Sequence, residues 1–287
     1  MATTDKRLSI SELDFDDIKS NLKTFLKNQT EFTDYDFEGS GMSALLDLLA
    51  YNTHYLSMNA NLLANEMFID TASLRSSVVS HAKTLGYTPR SARASQAVVD
   101  VTINDTSVTT STLSRGTKFS TTVDDITYNF LVNEDRTVSR VDNVLTFDNV
   151  TLFEGTLITT RYVVDNSNVD QRFIIPDTKA DMSTLKITVQ NSSTDSTTQT
   201  YTESGDIVQA TSTSNIYFVQ EVEDGQHEIL FGDGVIGKKL SDGNIVVLEY
   251  IVTNETLANG ATNLTGSSQI AGSTAYTVTT TSAAVPS

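Results

Sequence analysis

The sequence predicts an α+β protein: an N-terminal helical segment of three helices that form a bundle with partners, followed by an antiparallel β-rich domain. Three observations lead there. Apolar residues keep helical spacing up to about residue 90. After Ser91–Ala97 they give way to short β-branched runs separated by Gly, Asn, Asp and Ser clusters. The three prolines, Pro89, Pro176 and Pro286, lie outside these runs or at their edges. The expected division is a helical assembly segment over 1–92, a β-rich middle domain over 93–265, and a flexible Ser/Thr-rich tail over 266–287 that lacks large apolar anchors.

In the first helix, about Phe15 to Asn28, Ile18, Leu22, Phe25 and Leu26 share a face. Asp14 is its N-cap, and Asp16 and Asp17 place negative charge at the positive end of the helix dipole. The second helix runs from about Gly41 to Glu66 behind the cap Ser40, roughly 40 Å at 1.5 Å per residue. Met42, Leu49, Leu56 and Leu63 recur at every seventh position, with Leu48, Tyr55 and Leu62 as a second row and Leu45 beside them. Asn52 and Asn59 interrupt the seam where a polar side chain fixes register and partner choice. So much apolar surface requires cover by other helices. The lead-in Asp34–Glu38 alternates acids with Tyr35 and Phe37, which suggests a docking loop. A third helix is expected to open at Thr71, with Leu74, Val78, Ala82 and Leu85 on one face and Gly86 as its stop.

The β-type runs are AVVDVTI, ITYNFLV, VLTFDNVTLF, TLITTRYVV, LKITV, IYFVQEV, EILF and IVVLEYIVT. Between them, Asn191–Asp206 reads as an exposed loop or flexible hairpin. The segment FGDGVIGKK contains GxGxxG at Gly232, Gly234 and Gly237. A dinucleotide fingerprint opens a helix, however, and a strand follows here, while Lys239 stands where a phosphate-binding loop needs Ser or Thr. Gly232, Asp233, Gly234 and Gly237 are therefore expected to serve a hairpin turn.

No catalytic, cofactor-binding or metal-binding residues emerge. His54, His81 and His227 have no ligand neighbours at recognisable spacing, and there is no cysteine, GxSxG elbow or HExxH. The 36 acidic against 19 basic residues give a net charge of −17, which repels nucleic-acid backbones and anionic membranes. Without an apolar leader or an apolar run of membrane-spanning length, a soluble cytoplasmic chain with no small-molecule substrate is expected.

The stretches FDDIKSNLKTFLKNQTEFTDYDFEGS, LLDLLAYNT and TASLRSSVV before GYTP resemble the baseplate wedge family known as gene product six of T-even-like contractile phages. RGTKF, TSTSNIYFVQE and FGDGVIGKKLSDGNIVVLEYIVTNETLANGATN resemble the broader baseplate J family, so resemblance covers most of residues 12–265. It implies a non-enzymatic structural subunit of the virion tail baseplate, assembled in the host cytoplasm. Two copies would join another wedge protein through their N-terminal helices around the tail hub. Family members continue into a C-terminal region that contributes to ring closure, and its contacts are not carried over to a sequence running to Ser287. An adhesin or glycan-binding module is the alternative reading of the Thr-rich strands, but it leaves the seven-residue rows without a purpose.

Overall fold

A computed structural model describes residues 14–29, 35, 36, 38–87, 90–104, 106–204, 210–222, 225–266 and 268–286. The chain forms two compact units that divide between residues 89 and 90.

In the helical unit, α1 (Phe15–Lys27) is capped by Asp14, whose Oδ1 accepts from Asp16 N at 2.8 Å and Asp17 N at 3.2 Å. α2 (Gly41–Glu66) is capped by Ser40, whose Oγ accepts from Ser43 N at 3.0 Å. α1 packs on α2, burying Ile18, Ser43, Leu46 and Ala50. α3 spans Arg75–Thr84, four residues shorter at its start than expected. The Thr71 hydroxyl instead donates to Asn65 O at 2.6 Å within the turn after α2. The expected face also differs: Val79 and Ala82 are the buried residues, while Leu74 and Leu85 are cap residues exposed to solvent. Gly86, at φ 76°, does end the helix. Gly86 N donates to Lys83 O and Tyr87 N to Ala82 O, the paired bonds of a Schellman motif.

No side chain next to α3 caps its N-terminus, and the end of α2 supplies the missing acceptor. Glu66 Oε1 accepts from Ser73 N at 2.9 Å, Ser73 Oγ at 2.7 Å and Leu74 N at 3.2 Å. Hydrogen bonds from Ser77 and then Ser73 hold this carboxyl at about 2, against an ordinary value of 4.5.

The β unit holds two sheets with separate cores. The first has strand order β14-β3-β4-β6-β1-β15: β1 (Ser95–Ile103), β3 (Lys118–Val123), β4 (Ile126–Val132), β6 (Leu145–Glu154), β14 (Thr265–Gly266) and β15 (Thr277–Pro286). A ribbon of β2 (Thr110–Leu113) and β5 (Arg136–Ser139) adds Leu113 and Val138 to its core of Val99, Phe119, Phe130 and Phe147. The second sheet has order β7-β13-β9-β10-β11-β12-β8. Its strands are β7 (Thr156–Val163), β8 (Phe173–Ile175), β9 (Ala180–Gln190), β10 (Thr198–Glu203), β11 (Ile216–Glu221), β12 (His227–Phe231) and β13 (Ile245–Val252). Ile187, Ile229, Leu248 and Tyr250 are central in its core. This sheet curls until its edges meet. The Tyr162 hydroxyl of β7 donates to Ile174 O of β8 at 2.5 Å, and the rings of Tyr162, Phe173, Phe231 and Tyr201 stack edge to face in series at 5.3–5.6 Å.

All eight β-type runs form strands, and Asn191–Thr197 turns β9 into β10 as a hairpin. The pairing is antiparallel as expected, apart from a short parallel contact of β10 with β11. One expectation needs correction. The tail expected to be flexible contains β15, held along β1 from Thr277 to Pro286 by main-chain pairing that needs no large side chain.

The sheets join at a polar seam. β6 runs into β7 through Gly155, whose φ of 136° and approach to the Val252 carbonyl leave no room for a side chain. The preceding Glu154 is fully buried. Its Oε2 accepts from the Thr253 hydroxyl at 2.8 Å and Asn254 N at 2.9 Å, and its Oε1 from Asn254 Nδ2 at 2.7 Å. Asp181, also fully buried, accepts from Ala94 N at 2.9 Å and from Ser183 N and Oγ at 2.9 and 2.6 Å. Arg115, between β2 and β3, donates to Asn133 O at 2.7 Å and reaches across to Thr184 O at 2.6 Å and Glu249 O at 3.3 Å.

Two outcomes follow. Because the Glu66 carboxyl is held below its ordinary value, its stabilisation of α3 is fully present above about pH 4.5 and is lost as pH falls through about 2. Amide exchange across Ser77–Lys83 should lose protection over that window, and Glu66→Gln should give low protection with a flat profile. In the seam, Glu154→Gln places a donor among donors, so the β unit should lose about 2–3 kcal/mol in urea unfolding followed by tyrosine fluorescence. An unchanged midpoint would show that the seam does not hold the sheets.

Candidate assembly surface

α2 has two unlike faces. One is covered within the helical unit: Leu46 is 3% exposed and Ala50 fully buried, with Asn61 and Ala64 buried further along. The other is open. Leu45, Leu48, Leu49, Tyr55, Leu56, Leu62 and Leu63 are all exposed, with Leu48 at 63%, Leu56 at 60% and Leu63 at 70%. Asn52 and Asn59 are exposed within the same stripe, and Met42 at its start is half-buried. The residues singled out by seven-residue spacing therefore share one long surface, while the buried contacts come from the positions between them. Tyr35 is half-buried in a turn before α2, and Phe37 and Asp34 lie outside the described residues.

The heptad reading missed Tyr51 and Met58, which are also exposed and broaden the stripe. Tyr51 donates to the Tyr55 hydroxyl at 3.1 Å, with the rings packed edge to face at 4.7 Å. With Leu48, Leu49 and Asn52 the two tyrosines line a shallow apolar cleft. The available signal was the i, i+4, i+7, i+11 series Tyr51, Tyr55, Met58, Leu62, which follows the 3.6-residue period.

The glycine-rich segment after β12 is not a hairpin, because β12 pairs with β11 and β8 whereas β13 pairs with β9 and β7. It is a folded connection between strands that are not neighbours. Any Cβ on Gly232 would fall on the Gly237 backbone, and one on Gly237, at φ 82°, would lie 2.8 Å from Ile216 Cγ1. Asp233 Oδ1 accepts from Val235 N at 2.8 Å and Ile236 N at 2.9 Å, and these two bonds, Ile236 first, lower its pKa. Gly234 N donates to Gly237 O, Gly237 N to Thr211 O and Lys238 N to Ser214 O. Every amide from Gly234 to Lys238 is thus committed inside the protein, and Lys238 Nζ is held by Gln199 Oε1 at 2.7 Å. A phosphate cradle needs free amides. Among the described residues no group of three or more His, Asp or Glu could hold a metal ion. His54 lies on α2, His81 Nε2 meets Glu66 O at 2.9 Å, and His227 is buried at the start of β12.

Titration with ATP, GTP or NAD should therefore give no saturable heat, and Gly232→Ala should lower the stability of the β unit by about 2 kcal/mol or more through backbone overlap. Micromolar binding lost in Gly234→Val would contradict this account.

Two family models and one curated relative match the chain. Residues 14–87, which hold the three helices, match the family described as baseplate wedge protein gp6-like, helical domain. Residues 157–257, which span the second sheet, match the bacteriophage baseplate wedge protein gp6, third domain. The baseplate wedge protein gp6 of Enterobacteria phage T4 is 36% identical over 266 residues. That alignment covers 86% of this chain and 39% of the relative, so the chain spans well under half of the relative's length. With two of its domains matched in chain order, the chain belongs to the gp6-like baseplate wedge proteins.

Proposed function

We propose that this chain is a non-enzymatic structural subunit of a contractile-tail baseplate wedge, and that the open face of α2 is where it assembles. The single observation carrying this reading is that α2 leaves Leu45, Leu48, Leu49, Leu56 and Leu63 in solvent while its opposite face is packed. Each such leucine gains roughly 1.5–3 kcal/mol on full burial, and a contiguous apolar stripe of this size marks an interaction site. A sustained seven-residue repeat suits a left-handed bundle, so its occupants are helices: one from a second copy and others from a different wedge protein. Asn52 and Asn59 set the register there, and Tyr35 with Phe37 docks beside the helix start. The subunit works in the virion tail baseplate after assembly in the host cytoplasm, and its net charge of −17 keeps it from nucleic acid and anionic membrane surfaces.

The glycan-binding reading gains nothing from the Thr-rich surface. Its hydroxyl-lined cleft contains Thr121 and Thr265, but these donate to Thr262 O at 2.6 Å and Ser120 O at 3.2 Å. No aromatic ring lines it for a sugar to stack on.

Leu49→Asp with Leu56→Asp should abolish association with the wedge partner in sedimentation while thermal unfolding of the β unit stays within about 0.5 kcal/mol of the parent. Normal complex formation by this variant would sink the assembly role of α2.

A further inference from the structure

An Asn-Gly pair can rearrange without an enzyme, because glycine has no Cβ to shield its amide nitrogen from the asparagine side chain. Asn259–Gly260 is the one such pair in the sequence. It follows a single 3₁₀ turn, Glu255–Ala258, in the connection from β13 to β14. Ala258 and Ala261 on either side are buried in the core of the first sheet. Asn259 is half-buried and Gly260 exposed, so water reaches the pair. Three restraints act on it. The Asn259 carboxamide oxygen accepts from Ser95 Oγ of β1 at 2.7 Å. Gly260 N donates to Ala284 O of β15 at 2.7 Å, and Ala284 N donates to Ala261 O at 3.0 Å, so β15 clasps the chain just after the asparagine. The Asn259 backbone is extended, at φ −62° and ψ 142°, which turns the Gly260 nitrogen away from the asparagine side chain.

We propose that Asn259 is a self-modification site that β15 keeps closed, and that it reacts when β15 releases Gly260. In the reaction Gly260 N bonds to Asn259 Cγ and the carboxamide C–N bond breaks, with ammonia leaving and carrying away the amide proton. Water then opens the cyclic imide at one carbonyl to give aspartate, or at the other to give isoaspartate, in which the main chain runs through Cγ. Solvent water is the only co-reactant. Each restraint opposes the first step. The bond to Ala284 O engages the attacking nitrogen, Ser95 fixes the group it attacks, and the Asn259 ψ must rotate before the two atoms meet. That rotation carries Gly260 off Ala284, so release of β15 and exposure of the site are one event. Isoaspartate does not return to the closed arrangement. Its extra main-chain methylene sets Gly260 and Ala261 out of step with Ala284, which pairs with both, so the modification is a one-way record of β15 release. The site lies in the β unit and does not depend on the α2 surface.

The test follows conversion of Asn259 by peptide mass in the full chain, held in mildly alkaline buffer with and without guanidinium chloride. The unfolded chain should convert at least about tenfold faster than the folded one, because reaction in the folded chain waits on local opening. Ala284 is 2% exposed, so Ala284→Asp buries a charge under this end of β15 and should raise the folded-state rate by about tenfold or more. Leu257→Asp places the same charge in the same turn on a residue 63% exposed, and should leave the rate near that of the parent. Equal rates in the folded and unfolded parent would overturn the proposal, as would equal rates in the two aspartate variants. If Ala284→Asp unfolds the β unit, the parent decides the question by itself. The factor by which folding slows conversion should then match the exchange protection of the Gly260 amide within about tenfold, since one opening governs both, and a larger mismatch would refute the gating by β15.

Discussion

The β unit depends on one buried carboxylate. Glu154 sits where β6 becomes β7, and both of its oxygens are satisfied by Thr253 and Asn254, where the chain leaves β13 to return to the first sheet. The two crossings between sheets are therefore tied to each other. A buried carboxylate is costly to desolvate, and here three hydrogen bonds offset the cost without a cation. The device is geometric as well as energetic, because the carboxylate fixes the Thr253–Asn254 corner while Gly155 beside it admits the Val252 carbonyl. Asp181 and Arg115 repeat the arrangement on either side. Asp181 anchors the approach to β1 through Ala94 N, and Arg115 holds main-chain oxygens of β9 and β13. Two apolar cores are coupled by polar groups that admit one geometry, whereas an apolar seam would allow the sheets to slide.

The helical unit follows a different economy. α2 carries apolar side chains around most of its circumference, and α1 covers only the line through Ser43, Leu46 and Ala50. Ser43 and Ala50 on that line let α1 approach closely around the buried Leu46, while the other leucines of α2 are exposed. Within the unit, stability relies on capping: Asp14 for α1, Ser40 for α2 and Glu66 for α3. Under the proposed reading, the helices whose largest side chains remain in solvent are completed by neighbouring subunits. The glycine-rich connection after β12 belongs to the β unit, where its amides are bonded inward and its glycines permit backbone crossings.

Much of this was legible in the sequence because it depends on local chemistry. The helix caps Asp14 and Ser40, the stop at Gly86, the eight β-branched runs and the seven-residue rows of α2 rest on spacing and on residues acting within a few positions of themselves. Leu48, Leu56 and Leu63 of those rows are exposed on α2. What depended on distant partners was not visible. The start of α3 moved from Thr71 to Arg75 because its cap, Glu66, comes from the preceding helix. The expected flexible tail contains β15 because its pairing with β1 is made by main-chain groups nearly two hundred residues away, which no side-chain pattern reports. The glycine turn was recognised as a turn yet not as a link between unpaired strands, since strand order is a property of the sheet. The polar seam was hidden for the same reason. Glu154 and Asp181 are ordinary acids in an acidic sequence, and only the folded arrangement of the two sheets removes them from water and makes them structural.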